Sequence, residues 1–276
     1  MPRAVAQLVA IAALYPIVPA GPIAALGGVR LRTLWIVVLL FSTLNFVGYL
    51  ARRAVGPTRG YGLTGILGGL VSSTAVTFHF SRESRERPEL AGPLGFGVVG
   101  ACTVLLPRVL LASTALNPQL ASELLLYLAP PIMAGAVIVF MAVRRQGPLA
   151  PGEEVEDDAS PLRLASSLKL AVVFQLVFLA MDWVSRMGGD AGVITSAALV
   201  GLTDLDALTI AMSRMGTDEA SIELGARAIT VGVLSNTLAK LALTLALGSP
   251  DFRRIASSGL LGLAAACAAG LWVGWG

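Results

Sequence analysis

The chain has 276 residues, 55% of them hydrophobic and only 13% charged, with a mean hydropathy of +0.78. Soluble domains carry about 25% charged residues, so this composition excludes a soluble globule and predicts a helical protein with several membrane spans of about 20 apolar residues each. The single histidine, His79, excludes a His-based metal centre or catalytic dyad; Cys102 and Cys267 fall inside apolar segments and offer neither a disulfide framework nor zinc spacing.

Nine apolar segments follow one another. The first, 4–26, comes after Arg3 and is expected as a retained helix rather than a cleaved signal peptide. Segments 34–51, 60–81, 91–114 and 119–143 come next. The stretch "RRQGPLAPGEEVEDDASPLR", residues 144–163, is polar, acidic and broken by prolines, so it reads as a solvated linker. Segments 164–185, 191–213, 223–247 and 255–275 complete the chain.

Two phrases resemble each other: "GGLVSSTAVTFHFSR" from Gly68 and "VGLTDLDALTIAMSR" from Val200. Ser81-Arg82 and Ser213-Arg214 lie 132 residues apart, and the same offset lays Gly69, Leu70, Ala75 and Thr77 over Gly201, Leu202, Ala207 and Thr209. It also lays segments two to five over six to nine, and Arg108 over Lys240. The expected fold is therefore an all-α integral membrane protein. It has an extra N-terminal helix and loop (1–33), repeat 1 (34–143), the acidic linker (144–163) and repeat 2 (164–276).

Loop arginines bear on topology. If all nine segments cross, seven arginines fall on one side and nine on the other. If the phrase-bearing third and seventh segments dip in and return, the division is twelve against four, as the positive-inside rule expects. Each repeat then crosses three times and the second is inverted, a common plan of secondary transporters. The linker would then be cytoplasmic, in a protein of the inner (plasma) membrane.

Asp204 and Asp206 sit near the middle of segment 191–213. A carboxylate at that depth costs about 2.5–3.5 kcal/mol and persists only if paired, solvated or bound. Helix interruptions near Gly68–Thr74 and Gly201–Asp204 would accommodate both acids. A midplane site would then form where two interrupted helices meet. Its candidate ligands are Ser72, Ser73, Thr74, Thr77, Thr203, Asp204, Asp206, Thr209 and Asn236, with Asp204 and Asp206 as the charged ligands of a cation or metal ion. Structurally, the same residues could cap half-helices, with Thr203 and Asp206 as a capping box and Ser72 and Ser73 capping the counterpart. Arg108 and Lys240 are cations inside apolar segments; they either snorkel to the interface or pair with Asp204 or Asp206. Half-helix N-termini and these cations would equally suit an anion. Asn45, Gln175 and Asp182 are further polar residues in apolar segments, more often helix–helix hydrogen-bond partners than ligands.

The phrases "LTGILGGLVSSTAVT", "LVGLTDLDALTIAMSR" and "LSNTLAK" resemble those of an uncharacterised prokaryotic membrane-protein family, often fused behind an MgtC/SapB-type domain. The resemblance runs from about Leu34 onward. It implies a polytopic inner-membrane protein linked to ion homeostasis, and supplies no substrate or catalytic residue. No MgtC/SapB-type domain precedes the first helix here, so the resemblance implies a chain acting alone or with a separate MgtC/SapB-type partner. The expected function is a transporter or channel for a small inorganic ion, cation favoured. The alternatives are a small-anion transporter using Arg108 and Lys240, or a regulatory membrane module. No HExxH, nucleophile–base pair or nucleotide loop points to an enzyme. No cofactor and no nucleic acid are expected; the lipid bilayer is the environment, and a homo-oligomer is compatible.

Overall fold

The computed structural model describes residues 12–18, 60–145 and 188–274, with a few isolated positions between 22 and 46. The segments 34–51 and 164–185, most of 4–26 and most of the linker lie outside the described residues, as do Asn45, Gln175 and Asp182. The helices are α1 (Gly60–Glu86), α2 (Ala91–Leu116), α3 (Pro118–Arg145), α4 (188–201), α5 (Leu205–Met212), α6 (Glu219–Leu247) and α7 (Pro250–Val273). The only strand pairing among the described residues is a two-residue one, Pro22–Ile23 with Val29–Arg30. The chain is thus all-helical in character, and α1, α2, α3, α6 and α7 are each long and apolar enough to cross a membrane.

In α1 that length is folded in two. Ser72 leaves the helical region, with φ −157° and ψ 102°. The Tyr61 ring lies edge-on to Phe80 with centroids 6.1 Å apart, and Arg87 donates to the Tyr61 hydroxyl at 3.0 Å. A straight helix would hold Tyr61 and Phe80 about 28 Å apart. Residues 60–71 and 73–86 are therefore two half-helices folded back on each other. Glycine permits the approach to α2: a Cβ on Gly69 would stand 2.4 Å from the Ala101 Cα. In the second phrase α4 ends at Gly201, where a Cβ would stand 2.5 Å from the Gly232 Cα, and α5 begins after a turn at 202–204.

The later helices also correspond at the 132-residue offset. α3 and α7 begin with Pro118 and Pro250, at the position where a missing N–H costs nothing. They pack crosswise. Phe80, Leu94, Val98, Phe252 and Leu260 form one core, so α7 closes over the folded α1 and α2. Leu124, Leu128, Leu208, Ile210 and Ile229 belong to the other, so α3 closes over α5 and α6. Leu126, Met133, Val137 and Phe140 of α3 remain exposed, an apolar face suited to lipid tails.

Candidate functional site

The two breaks are built alike. The Ser72 hydroxyl accepts from the Ala75 N–H at 3.2 Å. Asp204, at φ −147° and ψ 101°, accepts from the Ala207 N–H at 3.0 Å. Each side chain satisfies one of the amides that a helix start leaves without a partner. The expected capping box between Thr203 and Asp206 does not form; Thr203 donates to the Val200 carbonyl at 3.0 Å, and Asp204 is the cap. Ser73, also expected as a cap, serves elsewhere.

Below each break runs a hydroxyl ladder. Thr77 donates to the Ser73 carbonyl at 2.8 Å and Ser81 to the Thr77 carbonyl at 2.6 Å. Thr209 donates to the Leu205 carbonyl and Ser213 to the Thr209 carbonyl, both at 2.7 Å. All four are buried. Their protons are spent within their own helix, so only their lone pairs face a neighbour.

Arg108 and Lys240 converge on the breaks, and the snorkelling alternative is overturned: they are 6% and 1% exposed. Arg108 donates to the Leu70 and Val71 carbonyls, at 3.0 and 3.1 Å, which the break at Ser72 releases from helical bonding. Its other arm forms an ion pair with Asp206 from the second phrase. Lys240 donates to the Ser73 hydroxyl of the first phrase at 2.7 Å and to the Asn236 side-chain oxygen. Asn236 in turn donates to the Gly201 carbonyl, released by the second break, at 2.7 Å. Each cation thus ties its own helix to the opposite phrase. The same crossing recurs at the helix starts: Ser249 donates its N–H to the Ser84 hydroxyl at 3.0 Å, and Asn117 donates to the Ser213 carbonyl at 3.5 Å.

Of the expected residues, Ser72, Ser73, Asp204, Asp206, Asn236, Arg108 and Lys240 come together around the breaks. Thr77 and Thr209 line the half-helices behind them. Thr74 and Thr203 are exposed at the edge of the cluster. Sequence reasoning missed the Leu70 and Val71 carbonyls as partners of Arg108; a backbone oxygen carries no residue-type signal. No group of three metal-ligating side chains occurs among the described residues. A surface cavity of about 330 Å³, lined by Glu123, Glu219 and Glu223 among others, shares no residue with the cluster. His79 is exposed.

Residues 39–248, which hold both breaks and both buried cations, match the family described as "Domain of unknown function (DUF4010)". The chain belongs to the DUF4010 family. Within that span lie the three phrases that carried the resemblance. A protein of Aquifex aeolicus (strain VF5), described as an uncharacterized protein, is 24% identical over 195 residues, covering 69% of this chain and 84% of that one. No solved structure matches the chain.

Proposed function

We propose that this DUF4010 protein is a multi-pass membrane transporter or channel for a small ion, with its site where the two interrupted helices meet. The fold-back of α1 supports a re-entrant third segment, entering and leaving on one side of the bilayer. With the seventh segment treated alike, the arginine distribution favours inverted repeats and a cytoplasmic acidic linker in the inner membrane. The reading includes no catalytic step. A homo-oligomer or a separate MgtC/SapB-type partner is compatible with it.

The observation that carries the reading is the crossed pair of buried cations at the breaks. It also favours one sign. Asp206 is engaged by Arg108, and Asp204 caps its own half-helix. Neither carboxylate is left to charge a cation site, whereas Lys240 has only neutral oxygen partners. The anion alternative therefore replaces the cation as the favoured reading. A regulatory module that moves no ion is favoured by one other observation: the released Leu70, Val71 and Gly201 carbonyls all have side-chain donors, as a purely structural network requires.

Solid-supported-membrane currents from proteoliposomes challenged with cations, anions and pH jumps test the reading. Anion-dependent currents that vanish in Lys240→Gln are expected. Cation currents that survive Lys240→Gln and vanish in Asp206→Asn would return the site to the cation reading. Silence with every ion, from protein of native stability, would leave the regulatory module.

A further inference from the structure

Asp206 and Thr74 are equivalent positions at the 132-residue offset, each two residues past the cap of its half-helix. Arg108 and Lys240 are equivalent too. The Arg108–Asp206 ion pair therefore has a counterpart position, Lys240 with residue 74, in which the cation is present and the carboxylate is missing. Lys240 already leans toward it. Its ammonium reaches across to Ser73, the residue next to Thr74, at 2.7 Å.

The ammonium group has three donors. Ser73 and Asn236 take two of them through neutral oxygens, and no carboxylate among the described residues forms an ion pair with Lys240, which is 1% exposed. A desolvated ammonium calls for a counter-charge. Asp206 supplies one to Arg108 from within the chain. At Thr74, exposed and carrying no charge, the counter-charge has to come from outside.

We infer that Lys240, Ser73 and Thr74 bind one small, singly charged, planar oxoanion, which occupies in the first phrase the place that the Asp206 carboxylate occupies in the second. The charge is single because one ammonium is left without an acid. The shape is planar because the equivalent position is filled by a carboxylate. Lys240 donates to one oxygen of the anion, and the Ser73 and Thr74 hydroxyls are placed to donate to the other. The inference deepens the transport reading and rests on it for passage of the ion, while binding can be measured independently.

The test uses the full chain in nanodiscs, with thermal unfolding followed at constant ionic strength in formate, nitrate, chloride and sulfate. Formate and nitrate should raise the Tm saturably, with sulfate and chloride at least tenfold weaker in apparent affinity. Thr74→Asp supplies a tethered carboxylate. It should raise the Tm without added anion to the formate-saturated wild-type value and abolish the response to formate. Lys240→Gln should abolish both effects; should it fail to fold, Thr74→Asp and a formate response weakened about tenfold in Thr74→Val carry the test. A formate response unchanged in Thr74→Asp, or none in the wild type, overturns the site. If binding behaves as expected but proteoliposomes pass no anion, the binding inference stands and the transport reading falls. If anion currents flow and Thr74→Asp leaves them unchanged, transport stands and this site falls.

Discussion

Ser72 and Asp204, 132 residues apart, hold the same extended backbone between half-helices and cap the amide three residues on. One does so with a neutral hydroxyl and the other with a carboxylate. The acid at 204 is thereby explained by local geometry, without a ligand.

Loss of either cap should cost about 1 kcal/mol. Ser72→Ala and Asp204→Ala should each lower unfolding stability by that amount and speed amide exchange at Ala75 or Ala207. Asp204→Asn retains an acceptor oxygen and should stay close to the wild type. A large loss in Asp204→Asn would mean that the charge, not the cap, is what the site needs.

The Arg108–Asp206 pair gives a larger effect. The two side chains are 7% and 21% exposed, and breaking a buried pair from one side costs about 3–5 kcal/mol. Asp206→Asn should fall at the low end, about 3 kcal/mol, because Asp206 keeps some exposure. Arg108→Gln should cost at least as much, since the Leu70 and Val71 carbonyls also lose their donor. The double variant should be less destabilised than the sum of the two, with a coupling of more than about 1 kcal/mol. Additive losses in chemical denaturation would show that the pair is not formed.

Glycine packing gives a third expectation. Gly69→Ala and Gly201→Ala each drive a methyl to within 2.5 Å of a backbone Cα on α2 or α6, and overpacking of this kind costs about 1–3 kcal/mol. Gly92→Ala meets nothing within 4 Å and should be neutral or stabilising by about 0.4–1 kcal/mol. Thermal unfolding of the three variants separates close helix approach from a general intolerance of side chains in these helices.

Much of the architecture is legible in the residues themselves. Membrane residence follows from composition, because so little charge cannot coat a globule. The starts of α2, α3 and α7 fall close to the apolar boundaries, and Pro118 and Pro250 mark two of them in the sequence. The breaks are legible because a mid-segment carboxylate behind glycine has no tolerable place on an unbroken helix. Repetition of the phrase at one offset points to two breaks rather than one.

What the sequence could not supply is who pairs with whom. Thr203, Asp204 and Asp206 are each plausible caps by type; the backbone turn at 202–204 selects Asp204, because its oxygen alone meets the Ala207 amide. Arg108 and Lys240 read equally well as snorkelling or buried. Only the crosswise packing of α2 and α6 against the opposite phrase takes them out of reach of the interface, and it gives one an acid and the other a serine and an asparagine. Periodicity and hydropathy are properties of neighbouring residues, so the chain alone determines where helices form, where they break and that the pattern is written twice. Charge pairing across about 100 or more residues depends on which helices meet, and that is set by the glycine contacts and the two shared cores, which exist only once the chain has folded.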